Sequence, residues 1–144
     1  MILIDTGPLV AFFDASDSYH DFCIDILKDL TDPLLTTWPV VTEAFFLLDF
    51  SWKAQDALWE FMLRGGLEIG GLSEEALVRC RTLMKKYQDL PMDLADGTLV
   101  VLGEVLKLHR IFTLDHKHFH IYRPLHVKRF ELLPAQVIKT SRLK

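Results

Sequence analysis

Four acidic residues close apolar stretches in separate parts of this chain. Asp5 ends the opening run Met1-Ile2-Leu3-Ile4, and Glu43 follows Trp38-Pro39-Val40-Val41-Thr42. Asp96 lies in Pro91-Met92-Asp93-Leu94-Ala95-Asp96-Gly97, and Asp115 closes Ile111-Phe112-Thr113-Leu114. A carboxylate among core-forming residues is costly to desolvate unless something positive neutralises it. If the fold brings these four together, the natural neutraliser is a hard divalent cation with oxygen ligands, Mg²⁺ or Mn²⁺.

Positioning them requires alternating strands and helices. Short apolar runs predict strands at 2–4, 34–37, 67–69 and 110–114, with 119–122 and 130–133 as further strands, the last at an edge. Between them, Pro8 begins a helix to residue 13, and others follow over 18–30, 40–50, 51–63, 73–87 and 91–108, the last opened by Pro91. The helix over 40–50 is apolar almost all round, as a buried or partner-covered helix would be. This order predicts an α/β fold with a mainly parallel sheet.

In such sheets functional groups gather beyond the carboxyl ends of the strands. Asp5 and Asp115 sit at two such ends; on neighbouring strands their backbones would lie about 4.8 Å apart. Glu43 falls in the first turn of the helix after the second strand. Asp93 and Asp96, three apart at a helix start, share a face. Each acid also has a structural reading. Asp93 suits an N-cap with Asp96 complementing the helix dipole, Asp5 suits the Thr6-Gly7-Pro8 turn, and Asp115 suits a cap before His116-Lys117.

With 144 residues, half of them hydrophobic, the chain can bury a real core. One domain is expected over 1–134, followed by a basic C-terminal tail, 135–144, the stretch expected to be loose. Charges interrupt every apolar run before the roughly 20 residues of a membrane span, and no basic region precedes the opening strand as in a signal peptide. The expected setting is cytoplasmic, with Cys23 and Cys80 as buried free thiols. The net charge of −4 hides an asymmetry. Residues 1–106 carry 7 Lys+Arg against 18 Asp+Glu, and residues 107–144 carry 9 against 2, with five of the six His. A basic third beside an acidic pocket suits a polyanion, with Lys107, Arg110, Lys117, Arg123, Lys128 and Arg129 to attract phosphates; a solvated surface and tail is the plainer reading.

Asp5-Thr6-Gly7, Thr42-Glu43, Pro91-Met92-Asp93-Leu94-Ala95-Asp96 and Thr113-Leu114-Asp115 resemble the signature blocks of PIN domains. The resemblance runs from Ile2 to about Leu133, includes Phe119-x-x-Tyr122-Arg123, and is closest to the VapC-type toxins of prokaryotic toxin–antitoxin pairs. It implies a three-layer α/β/α sandwich and a metal-dependent endoribonuclease. Asp5, Glu43, Asp96 and Asp115 would be catalytic, Asp93 an auxiliary acid, and Thr6 and Thr113 supporting hydroxyls or plain strand-end residues. Asp5, Asp96 and Asp115 would hold Mg²⁺, or Mn²⁺. The implied partners are RNA, a cognate antitoxin and a second copy in a homodimer.

One departure stands out. Where related sequences often carry a further acid, three residues after Asp115, this chain has His118, a poorer Mg²⁺ ligand. An alternative is therefore a non-catalytic PIN-like module that binds RNA or protein. A phosphorylated-aspartate receiver is disfavoured, because no second acid adjoins Asp5. Trp52, Trp59, Phe45, Phe46 and Phe50 suit core packing better than base stacking.

Overall fold

A computed structural model describes residues 1–137 of the chain. Five three-residue strands form one sheet: β1 (Ile2–Ile4), β2 (Leu34–Thr36), β3 (Leu67–Ile69), β4 (Arg110–Phe112) and β5 (Glu131–Leu133). Their order is β3-β2-β1-β4-β5, and every pairing is parallel. β1 is central and wholly buried, as its unbroken apolar run requires. The chain steps outward from β1 to β3 and then crosses back to place β4 on the other side of β1. This reversal opens a crevice beyond the carboxyl ends of β1 and β4.

Right-handed crossovers put helices on both faces. Between β1 and β3 run α1 (Thr6–Phe13), α2 (His20–Asp29), α3 (Trp38–Leu47) and α4 (Trp52–Leu63), with α1 packed against the other three. Between β3 and β4 run α5 (Glu74–Lys86) and α6 (Leu94–Leu106), packed on each other. The short α7 (His116–Ile121) joins β4 to β5. The α5–α6 approach is close enough to need glycine: a Cβ on Gly97 would come within 2.8 Å of the Cys80 sulfur. Cys23 and Cys80 are both buried and free, and burial pushes the Cys23 thiol up to about 12.

The same two helices hold a buried ion pair. Arg79 donates two 3.0 Å hydrogen bonds to the carboxylate of Glu104, which also accepts from the Leu125 backbone N–H. Glu104 is almost completely buried, so removing its partner strands a charge. Arg79→Ala is expected to lower unfolding free energy by roughly 3 kcal/mol. Urea denaturation checks this, and an unchanged midpoint would mean that the pair adds nothing.

Three predicted elements differ. Pro91 does not open α6: Asp93 does, its carboxylate accepting from the Asp96 N–H at 2.8 Å. Pro91 instead lies in a turn in which the N–H groups of Leu90 and Met92 both reach the Tyr87 carbonyl. Residues 119–122 form no strand and belong largely to α7. The Asp115 side chain caps that helix, and Phe119 and Tyr122, three apart, bury one face against each other. Finally, α3 is buried on one side only, through Val40, Val41 and Ala44; Trp38, Phe46 and Leu47 are exposed. The predicted edge position of β5 holds. Of the expected tail, residues 138–144 lie outside the described residues.

Candidate functional site

Asp5 is the first residue past β1 and the N-cap of α1. It is buried, yet both its oxygens are held: Oδ1 accepts from the Thr6 N–H and Oδ2 from the Thr113 hydroxyl, each at 2.8 Å. Thr113 follows β4, so this bond joins the ends of the two neighbouring strands. The same Thr113 oxygen accepts from the Asp115 N–H at 3.0 Å and so sets the turn that carries Asp115.

Asp115, Glu43, Asp93 and Asp96 join Asp5 around one cavity of about 540 Å³. The α6 N-terminus delivers Asp93 and Asp96. Glu43 comes from the second turn of α3 rather than its first, because the helix already starts at Trp38, with Pro39 in its opening turn. Sequence reasoning missed a sixth acid at this cavity, Asp17. Its place before α2 reads as a turn cap, and its carboxylate does accept from the Tyr19 N–H; nothing local separates that role from a place at the cavity.

Among the described residues no Lys or Arg lines this cavity, and the energetics show it. Burial, reinforced by the Asp5 charge and opposed by a Tyr122 hydrogen bond, pushes the Asp96 carboxyl up from 3.8 to about 8. Burial likewise raises Asp5 from 3.8 to about 6, against the pull of its two hydrogen bonds and with added repulsion from Asp115 and Asp93. Glu43 is raised by burial and by the charge of Asp93. The Thr6 hydroxyl is buried beside Glu43 and favours its charged form, without a well-formed hydrogen bond.

Two side chains set the acids' orientations. Tyr122 donates from its hydroxyl to Asp96 Oδ2 at 2.8 Å, while its ring packs on Tyr87 and Phe119. His118 turns Nδ1 onto Asp115, 2.7 Å from Oδ2, and stacks on Tyr122. His118 is thus tied to the acid before it and is not a loose surface residue. Tyr122→Phe keeps the ring and removes the bond. The variant is expected to bind Mn²⁺ about 10-fold more weakly, the scale of losing an outer partner of a metal ligand. Calorimetric titration reads this, and an unchanged affinity would leave Tyr122 a packing residue only.

The described residues of the basic third do not surround the acids. Lys107 ends α6, about 17 Å along the helix from Asp96. Arg110 opens β4 at the opposite edge of the sheet and pairs there with Asp32. Lys128 and Arg129 precede β5 at that same edge. Arg123 donates to the carbonyls of His120, Ile121 and Tyr122. Lys117, two residues after Asp115 in α7, is exposed and does not line the cavity. The expected aromatic packing is also corrected: Phe45 and Trp59 pack with tilted rings 5.0 Å apart, but Trp59 is partly exposed and Phe46, Phe50 and Trp52 are more so.

The donor set fits a hard cation: all-oxygen, acidic and without a built-in counter-charge. As they stand, no three His, Cys, Asp or Glu among the described residues are close enough to hold one ion together.

The PIN domain profile matches residues 2–124. The chain belongs to the PIN-domain family. Ribonuclease VapC26 of Mycobacterium tuberculosis is 29% identical over 135 residues, covering 92% of this chain and all of that protein. Among solved structures, this PIN domain superposes on VapC20 of Mycobacterium tuberculosis, a sarcin–ricin loop cleaving toxin, with a TM-score of 0.77. Identity there is 15%, over 89% of this chain and 99% of that one. VapBC2 of Rickettsia felis, bound to a DNA fragment of its promoter, gives 0.60 at 18% identity, over 92% and 98%. A toxin–antitoxin complex from Klebsiella pneumoniae gives 0.63 at 17% identity, over 83% and 90%. The α/β/α sandwich is the fold these structures share. No helix among the described residues is long and apolar enough to cross a membrane.

Proposed function

We propose that this PIN domain is a divalent-cation-dependent endoribonuclease, the toxin of a toxin–antitoxin pair, with Asp5, Glu43, Asp96 and Asp115 as its catalytic acids. The observation that carries the proposal is the convergence of acids from the β1 end, α3, the α6 start and the β4–α7 turn on one cavity that no Lys or Arg among the described residues lines. The full-length match to a VapC ribonuclease supports the reaction type, and the structural neighbours support the antitoxin partner.

Bound there, Mg²⁺ or Mn²⁺ supplies a water of lowered pKa and charge stabilisation at the scissile phosphate. The protein's own contribution is placement. Thr113 and the Thr6 N–H fix both oxygens of Asp5. Tyr122 engages Asp96 Oδ2 and leaves Oδ1 for a ligand. With its carboxyl raised to about 8, Asp96 holds a proton at neutral pH, and a cation held there would compete with that proton. Glu43, from α3, lines the same cavity and would orient a water there. Asp93 remains an auxiliary acid, since capping α6 already occupies one of its oxygens.

Single-stranded or looped RNA suits so open a site better than a duplex. For an antitoxin and a second copy in a homodimer, the surface offers exposed apolar side chains such as Phe50, Trp52, Leu77 and Val78. A non-catalytic binding module is the second reading, favoured by the spacing of the acids and by the tie between His118 and Asp115. Incubating antitoxin-free protein with total cellular RNA in Mg²⁺, Mn²⁺ or EDTA separates the two. Cleavage that EDTA abolishes supports the nuclease; intact RNA bound in every condition supports the module.

A further inference from the structure

Beside the acid cavity lies an open apolar groove of about 670 Å³, within the size range of small-ligand sites. Trp38, Pro39 and Phe46 of α3 form one wall, Leu94 and Ala95 of α6 the other, and Glu43 and Asp93 belong to both groove and cavity. Trp38 is 56% exposed and Phe46 69%, and among the described residues neither ring has an aromatic partner. The two stand two helical turns apart, about 12 Å along α3. Large aromatic side chains left open on the side of a helix that faces a cavity are unusual unless something covers them.

We infer that this groove binds an unpaired nucleobase of the RNA, stacked on Trp38, next to the phosphate held at the acid cavity. The inference rests on the ribonuclease reading and names how that site grips its substrate. Three observations favour a base as the occupant. Groove and cavity share two lining residues, so a strand with a phosphate in the cavity passes into the groove with its adjoining nucleotide. Among the described residues neither lining includes Lys or Arg, and Arg110, Lys128 and Arg129 sit at the opposite end of the strands, so no side chain of groove or cavity offers a positive charge to the strand. The protein's own grip on the nucleotide beside the cavity then comes from an uncharged contact, which stacking on an aromatic face supplies without sequence preference.

Trp38 can be read directly. Trp52→Phe with Trp59→Phe leaves it as the sole tryptophan, and Asp96→Asn in the same chain suppresses cleavage. A mixed-sequence, single-stranded RNA decamer with a fluorescent end is titrated in Mg²⁺, following its anisotropy and the Trp38 emission together. Binding should quench Trp38. Adding Trp38→Ala to the Asp96→Asn protein should weaken binding roughly 10-fold, and Trp38→Phe should recover most of it. The factor lost should stay constant between 50 and 200 mM salt, because stacking releases no counterions. Unchanged melting curves establish that the variants remain folded. RNA binding with unquenched Trp38 and full affinity in Trp38→Ala overturns the inference and leaves the ribonuclease reading standing. No binding even with Trp38 intact also overturns the inference, and cleavage by the unmutated protein then decides the ribonuclease reading separately. Trp38→Ala that spares RNA but weakens a cognate antitoxin would reassign the groove to a protein partner, and also overturns it.

Discussion

The metal-free protein is expected to lose stability as pH rises from about 4 to about 8, and Mg²⁺ is expected to restore it only at the upper end. Asp96 titrates near 8 when folded against 3.8 as the ordinary value, and Asp5 near 6 against 3.8. A carboxyl raised on folding takes up protons that the unfolded chain has released. Its contribution is therefore complete below about 4 and disappears as pH passes the folded value, through about 6 for Asp5 and about 8 for Asp96. Glu43 shifts in the same direction. A cation competes with those protons and needs the ionised carboxylates. At 100 times its dissociation constant it adds about 2.7 kcal/mol to the folded state, on the order of 5 °C or more for a domain of this size. Thermal melts at pH 5 and pH 8, with Mg²⁺ and with EDTA, check this. Equal melting temperatures with and without Mg²⁺ at pH 8 would contradict a shared cation site.

Asp96→Asn is expected to act in opposite directions on stability and on activity. Removing the ionisable group with the largest upward shift in the cavity relieves repulsion with Asp5, Asp93 and Asp115. The metal-free variant should melt several degrees above the parent at pH 8 and about level with it at pH 4, where the carboxyl of the parent is already neutral. The amide keeps an acceptor for the Tyr122 hydroxyl, so packing is preserved. Its response to Mg²⁺ should shrink, and RNA cleavage should fall at least 100-fold, beyond the roughly 10- to 100-fold typical of losing a mere outer-shell partner. A variant more stable yet inactive is the pattern of a site that trades stability for function. A destabilised variant would instead make Asp96 a structural residue.

Much of this was legible from residue order alone. The apolar run Ile2–Ile4 reads as a buried strand, and an acid directly after it then lies at a strand end, so the position of Asp5 was legible while the convergence of the acids was not. Asp115 followed from the same reasoning and from its neighbouring strand. What misled was local chemistry with two valid solutions. Pro91 is as good at a turn as at a helix start, and the Asp93 carboxylate decided between them by capping α6. Phe119 and Tyr122 read as strand residues until the Asp115 cap made them neighbours on one helical face. The basic third looked like a substrate surface because sequence position carries no direction; parallel strands send Arg110 and Asp115 to opposite edges. Tyr122 reaches Asp96, and Asp17 the cavity, from elements whose packing no local pattern specifies.

The most direct test of the central claim is cleavage of whole cellular RNA by purified, antitoxin-free protein in Mg²⁺, in Mn²⁺ and in EDTA, beside Asp96→Asn. The account predicts discrete cleavage products with either metal, none with EDTA, and none from the folded variant. Cleavage that persists in EDTA, or equal cleavage by parent and variant, would contradict a cation held by these acids.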